Sequence, residues 1–301
     1  MDAKDIHLNL DKYYTKRSLS KKLFNILKNF IIDENLTINN NFKHVLFVEP
    51  SAGNGSFLEA LNDFNSIGFD LLPDENNQFN IIKNDFLTED INLKLNKDQI
   101  NKEKIFIGNP PFGKKSKIAI DFINTAFKYS NIVAFIVPVQ FRKWSVQSKI
   151  NDKAKLVLDI DLEEEAFEFM GKPYKLRCCF QVWIKDIDYK GENIRIKEKP
   201  PTQHKDFQLY QYNRTVEAEK YFDYDWDFAV GRQGYLDYNQ KIFKKEEIDP
   251  KKQWIFFKAN NKEVLDNLFR IDFEKLSKKN IGIPGFGKAD VIIEYSNILK
   301  K

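Results

Sequence analysis

The chain has 301 residues, 42% hydrophobic and 31% charged, with a net charge of +4, enough for one large domain and a smaller one. No apolar run is long enough to cross a bilayer, and the charged start MDAKDIHLNLDKYYTK lacks the apolar core of a signal peptide, so a cytoplasmic protein without membrane contact is expected. Two adjacent cysteines, Cys178 and Cys179, and three scattered histidines exclude a disulfide framework and a zinc cluster, and no metal is expected.

The first periodic segment, SKKLFNILKNFII from Ser20 to Ile32, spaces Leu23, Phe24, Leu27 and Ile31 as one helical face, with Ser18 or Ser20 as its cap. Val45 to Val48 is a continuous apolar run of the kind that forms a parallel strand buried on both faces. It ends in Glu49-Pro50-Ser51-Ala52-Gly53-Asn54-Gly55-Ser56, and FLEALND then reads as helix. A second strand, Ser66 to Phe69, ends in Asp70, and a third, Phe79 to Lys83, precedes Asn84-Asp85-Phe86. Polar residues to Lys104 read as a surface stretch before the fourth strand, Ile105 to Ile107, which runs into Asn109-Pro110-Pro111-Phe112-Gly113. Residues 117 to 128 form an amphipathic helix and Ile132 to Val137 a fifth strand. Strands alternating with helices predict βαβ units in a doubly wound, mostly parallel α/β sheet.

Beyond Lys153, LVLDIDLEEEAFEF and LRCCFQVWIK read as strands that add an antiparallel pair to that sheet. Residues 186 to 206, with Pro200-Pro201, are the linker. The expected domains are 1–190 and 205–301, the second a small α+β module.

Ligands of such sheets sit at the carboxyl ends of the strands. The first loop has Gly53 and Gly55 but neither a third glycine at dinucleotide spacing nor the lysine of a P-loop. Glu49 before it would repel a pyrophosphate and favour a cation. Asp70 is placed to accept from ribose hydroxyls and Asp85 from an adenine amine, with Phe86 over the ring. S-adenosylmethionine fits that description. At the fourth strand end, the Asn109 side-chain carbonyl and the Pro110 main-chain carbonyl would accept both hydrogens of an exocyclic amine and aim its lone pair at a methyl group. Pro111 would brace the loop, and Phe112, expected to face solvent, would stack on the base.

EPSAGNGSF, IIKNDF and NPPFG resemble motifs of the N6-adenine-specific DNA methyltransferases, which have a seven-stranded class I methyltransferase fold. Asp11 to Thr15, including Tyr13, Tyr14 and Thr15, resembles the family's segment that closes over the methionine end of the cofactor. The motif order is similar to that of the gamma class, in which a target recognition domain follows the catalytic domain. The resemblance implies S-adenosylmethionine as cofactor, with Glu49, Ser51, Ala52, Gly53, Asn54, Gly55, Asp70, Asp85, Phe86 and Asn109 around it. It also implies duplex DNA with a flipped adenine as partner, a monomer or weak dimer, and a functional link to a restriction endonuclease. A further aromatic of the class packs on the extruded adenine, and EEAFEFMGKPYK offers Phe167, with Phe169 and Tyr174 as alternates. Structured RNA is the rival substrate, ahead of a protein glutamine.

Charge is unevenly spread: residues 1–100 carry 11 Lys+Arg against 15 Asp+Glu, and residues 101–200 carry 19 against 13. Lys114, Lys115, Lys117, Arg142 and Lys143 follow strand ends and are candidates for contacting a polyanion backbone. Arg232, Gln233, Lys258, Asn260, Asn261 and Lys288 are the candidate readers of bases or phosphates in the last module.

Overall fold

Apolar runs free of polar alternation become the central strands, and the stretches between them that repeat at helical spacing cover the faces. The computed structural model describes residues 14–37, 41–73, 78–163, 167–169, 172–174, 176–186, 188–235, 237–278 and 283–300. The chain divides into two units, Met1–Lys197 and Glu198–Lys301.

The first unit opens with β1 (Tyr14–Thr15), α1 (Arg17–Asp33), β2 (Val45–Glu49), α2 (Ser56–Ala60), β3 (Ser66–Asp70) and β4 (Ile81–Lys83). It continues with α3 (Lys97–Asn101), β5 (Glu103–Gly108), α4 (Lys117–Ala126), β6 (Ile132–Pro138) and α5 (Trp144–Gln147). β7 (Lys155–Asp161), β8 (Phe167–Phe169), β9 (Lys172–Tyr174) and β10 (Cys178–Ile184) complete it. Seven strands form one sheet in the order β4-β3-β2-β5-β6-β10-β7. β10 alone is reversed, antiparallel to β6 and β7, while the remaining pairs are parallel. The doubly wound, seven-stranded and mostly parallel sheet is the fold expected from the sequence. Phe47, Phe69, Phe106 and Phe135 from its strands are fully buried, as are Leu27 and Ile31 of α1.

Three expectations need correction. α1 begins at Arg17 with Lys16 at its N-cap, so Ser18 and Ser20 are both inside the helix and neither is a cap; the Ser20 hydroxyl, fully buried, lies 2.8 Å from Ser56 O and ties α1 to the start of α2. The polar stretch before Lys104 contains α3, whose propensity is modest. It starts at a reciprocal pair in which Asn96 accepts from the Gln99 N–H (2.9 Å) and Gln99 from the Asn96 N–H (3.0 Å). β7 and β10 do finish the main sheet, but β8 and β9 join β1 in a separate antiparallel sheet of order β1-β8-β9.

The end of the first unit is held by Arg195. Its guanidinium donates to the carbonyls of Gln147, Ile150 and Asn151 at 2.8, 2.8 and 2.6 Å and to Ala154 O at 2.8 Å, closing the chain over the turn after α5. Ile194 N–H donates to Leu156 O at 2.8 Å beside the outer strand β7.

The second unit contains β11 (Phe207–Tyr212), β12 (Phe228–Gln233), β13 (Lys241–Ile242), β14 (Gln253–Ala259), α6 (Lys262–Phe269), α7 (Phe273–Ser277) and α8 (Lys288–Leu299). Its antiparallel sheet runs β11-β14-β12-β13. Phe207, Phe228, Val230 and Phe257 pack with Leu268, Phe273, Val291 and Tyr295 in one core. Tyr212, Ala229, Trp254 and Phe256 form a second core with Ala218. Apolar side chains on both faces of the sheet explain the module's aromatic-rich sequence. Among the described residues no helix is long and apolar enough to cross a membrane.

Candidate active site

Because β2 to β5 run parallel, their carboxyl ends bring Glu49, Asp70, Asp85 and Asn109 to one edge of the sheet. The loop after β2 turns at Gly53 (φ 51°) and Gly55 (φ 74°), both left-handed. A Cβ on Gly53 would lie 3.2 Å from the Tyr14 ring, and one on Gly55 would lie 2.3 Å from the Phe79 ring. At Gly55 the Phe79 ring leaves no room for a side chain, whereas at Gly53 it is the positive φ that favours glycine. Asp70, expected to bind ribose, has its two oxygens on main-chain amides: Oδ2 accepts from Gly53 N–H and Oδ1 from Leu72 N–H, each at 2.9 Å. Its carboxylate therefore fixes the loop. Ser51 is half-buried, Ala52 buried and Asn54 exposed along the same loop.

Glu49 is 2% exposed. Burial is the main reason its carboxyl titrates well above the usual range; a hydrogen bond from the Leu58 main chain, in α2, pulls the other way, and the Asp70 charge adds to the rise. Its Oε2 has no hydrogen-bond partner among the described residues. A buried carboxyl oxygen left in this state beside a glycine turn suits a cation and not a phosphate.

The loop after β5 is tied to the glycine loop and to β1. Ser51 Oγ donates to Asn109 O at 3.1 Å, and Asn109 Nδ2 donates to Thr15 Oγ1 at 3.2 Å. Thr15 is 4% exposed and stands opposite Phe167 in the β1–β8 ladder. Past Phe112 the backbone is left-handed at Gly113 (φ 66°), Lys115 (φ 54°) and Ser116 (φ 58°), at a cost of about 1–2 kcal/mol for each of the two non-glycine residues. Ser116 is held there, fully buried, with its N–H on Gly113 O at 3.1 Å and its hydroxyl accepting from the Gln140 side chain, which follows β6. The bend leaves Lys114 and Lys115 exposed at the rim.

Several aromatic and basic residues are placed differently from the sequence expectation. Phe112 is 9% exposed and belongs to the core, so it does not face solvent. Phe86, expected over an adenine ring, is 2% exposed and packs on Phe106 and Phe122 with ring centroids 5.5 and 5.1 Å away. Its neighbour Asp85 turns back to accept from Leu87 N–H at 3.1 Å. Phe167 is fully buried and paired with Tyr174 across β8 and β9, with Phe169 at the end of the same strand. Pro110 is buried and Pro111 half-buried. Arg142 is not available to a polyanion: its guanidinium chelates Asp159 (3.0 and 3.1 Å from Nε) and reaches Asp161 at 2.7 Å. Burial works against that charge, but the two carboxylates more than offset it and hold the guanidinium above its usual value. Lys117 pairs with Asp121 at 2.5 Å on the surface of α4, and Lys143 is half-buried. Tyr13 lies outside the described residues.

The six candidates of the second unit also separate. Lys258 is paired with Asp225 and Asp227 at 2.9 and 3.1 Å. Asn261 caps α6 by accepting from Val264 N–H at 2.9 Å, and Asn260 donates to Lys205 O at 2.7 Å. Arg232 donates to the side chains of Asn213 (2.8 Å) and Gln253, and Phe286 N–H bonds its carbonyl at 3.2 Å. Gln233 bridges Gly285, two residues ahead of Gly287, the cap of α8. Burial holds the pKa of both Arg232 and Lys288 below the usual value.

The bonds Ser51–Asn109, Asn109–Thr15 and Gln140–Ser116 were not foreseeable, since each joins residues 24 or more positions apart. Among the described residues no cluster of potential metal ligands occurs.

No family model matches the chain, and no curated protein matches it. Among solved structures, it is similar to a putative RNA methyltransferase from Pyrococcus horikoshii: 16% identity, 59% of this chain and 88% of that one, TM-score 0.41. It is also similar to the M protein of the type I restriction enzyme EcoKI, with 17% identity over 60% of this chain and 46% of that one and a TM-score of 0.40. The plantazolicin methyltransferase BpumL, solved with S-adenosylhomocysteine, shares 13% identity over 61% of this chain and 90% of that one, with a TM-score of 0.35.

Proposed function

We propose that the protein binds S-adenosylmethionine and transfers its methyl group to the N6 amine of an adenine extruded from duplex DNA. The observation that carries this reading is the 3.1 Å bond from Ser51 to the Asn109 carbonyl, which joins the glycine loop to the Asn-Pro-Pro-Phe loop at neighbouring strand ends. The methyl donor would lie along the first loop and the amine would be held by the second. The residues fit such a cofactor: the turn at Gly53 and Gly55 admits a close approach, and Glu49 Oε2 is a buried acceptor awaiting a cation.

The bound cofactor supplies an electrophilic methyl on a sulfonium. The chain's own part is positioning. Asn109 Oδ1 and Pro110 O would each accept one hydrogen of the amine, so that its lone pair is no longer spread into the ring, and Pro111 would keep the two acceptors in register. Phe112 and Phe167, both buried, would have to yield contact area to a base entering beside them, and they would offset part of the few kcal/mol of unstacking. Units 1–197 and 198–301 correspond in this reading to a catalytic domain and a target recognition domain.

Expression in a host free of DNA methylation, followed by mapping of N6-methyladenine, tests the reading. Modification at one short sequence supports it. Offering duplex DNA and structured RNA in a single methyl-transfer assay provides the contrast: preference for RNA overturns the DNA assignment and leaves the amine chemistry in place.

Glu49 supplies a pH prediction. A carboxyl raised by burial keeps its proton to higher pH in the folded protein than in the unfolded chain; its contribution to stability is present below the ordinary carboxylate range and is lost as pH rises through the raised value. A bound cation reverses the preference. Cofactor binding within the raised titration range of Glu49 is therefore expected to release up to about one proton, seen calorimetrically as a dependence of the heat on the buffer's ionisation enthalpy. Glu49→Gln should abolish the difference between buffers. Equal buffer dependence in both proteins would remove Glu49 from the cofactor site.

A further inference from the structure

Thr15 lies in the segment whose resemblance suggests cofactor contact, but its geometry assigns it different work. Its side-chain oxygen is 3.2 Å from Asn109 Nδ2, and it is 4% exposed. A primary amide presents a donor on one side and an acceptor on the other. An amide whose nitrogen is engaged by Thr15 directs its carbonyl the opposite way. The main chain of Asn109 is held separately, by Ser51 at its carbonyl oxygen. The two contacts have separate effects, since Ser51 locates the backbone and Thr15 selects the side-chain orientation.

Thr15 is itself firmly placed. β1 has only two residues, Tyr14 and Thr15, and pairs with β8 in the register Tyr14↔Glu168 and Thr15↔Phe167. Lys16 then leads directly into the 17-residue helix α1, and Ser20 in its first turns is bonded to Ser56 O at 2.8 Å. The hydroxyl is thus fixed from a strand pair on one side and a helix on the other.

We infer that Thr15 is a positioning residue, which orients the Asn109 amide so that its carbonyl oxygen receives the target amine. This inference rests on the proposed methyl transfer to an exocyclic amine. Thr15→Val keeps the shape and β-branching and removes the hydroxyl; Thr15→Ser keeps the hydroxyl. Thr15→Val is expected to lower the single-turnover transfer rate by about 10–100-fold, the scale of a misplaced reacting group, with cofactor affinity within about twofold of wild type. Thr15→Ser should recover most of the rate.

A second readout needs no activity. In the full-length ¹⁵N-labelled protein, the Asn109 side-chain amide, assigned by its disappearance in Asn109→Ala, should exchange slowly with solvent in wild type and in Thr15→Ser, and rapidly in Thr15→Val. Full rate in Thr15→Val, a rate loss that follows a loss of cofactor affinity, or an unchanged amide signal would each overturn the inference. If the wild-type protein methylates neither DNA nor RNA, the proposed function falls. The amide signal then still decides whether Thr15 orients Asn109.

Discussion

Asn109→Ala is expected to reduce single-turnover methyl transfer by about 10³-fold, the upper range for removing one preorganised hydrogen-bonding group from a reacting centre. The substitution leaves the rest of the site in place, because Ser51 bonds the main-chain oxygen of residue 109 and not its side chain. Cofactor affinity should therefore stay within about threefold of wild type, under half of the 1.4 kcal/mol that corresponds to a tenfold change. The structural loss is small: Thr15 Oγ1 forfeits one donor, a cost of about 1 kcal/mol. The decisive measurement pairs rapid-quench methyl transfer with cofactor binding on the same preparation. A variant that binds cofactor and retains the wild-type rate would mean that Asn109 does not hold the amine.

Arg195→Met should produce a large loss of stability at a position remote from that site. The guanidinium satisfies the carbonyls of Gln147, Ile150, Asn151 and Ala154, which close a turn that has no continuing helix to take them up. It also lies 5.7 Å from the Trp183 ring centroid, so the stem and head pack as well as donate. Methionine keeps the packing volume and deletes the donors. With charge-assisted bonds worth about 1.5–3 kcal/mol and partial access for water, a net loss of about 3 kcal/mol is expected. That corresponds to a fall in Tm of roughly 6–12 °C for a unit of this size. Differential scanning calorimetry measures it, and a shift below about 2 °C would show that water replaces the guanidinium at little cost.

The central strands were readable because their burial on both faces leaves a purely apolar run, as in Ile105 to Ile107 and Ile132 to Val137. The glycine loop was readable for a similarly local reason, since the left-handed turns at Gly53 and Gly55 restrict residue type. α3 leaves no mark in the hydrophobic pattern because its stabilisation is in the Asn96–Gln99 side-chain pair and not in an apolar face. The sequence does not distinguish ligand-facing from core positions for Phe86 and Phe112, because an aromatic beside a loop does not reveal which way it turns. Here both turn into the core, Phe86 onto Phe106 and Phe122. Arg142 looked like a phosphate contact because Asp159 and Asp161, its partners, are on a strand 17 and 19 residues away. Pairing of β8 with β1 joins segments some 150 residues apart, and only the folded chain brings them together.

The reversed strand has a consequence for how the chain acquires its fold. β10 lies between β6 and β7 but is made after both. Until residue 184 has left the ribosome, β6 is an open edge reading Ile-Val-Ala-Phe-Ile-Val-Pro, with no charge to discourage pairing with another chain. Folding on the ribosome therefore passes through a sheet that ends at the apolar edge of β6, because β7 joins it only through β10. That interval, and not the finished molecule, is the point at which aggregation competes with folding. Sequence changes that slow the arrival or insertion of residues 178–184 should lower soluble yield at a given expression rate, even where they leave the stability of the finished fold unchanged.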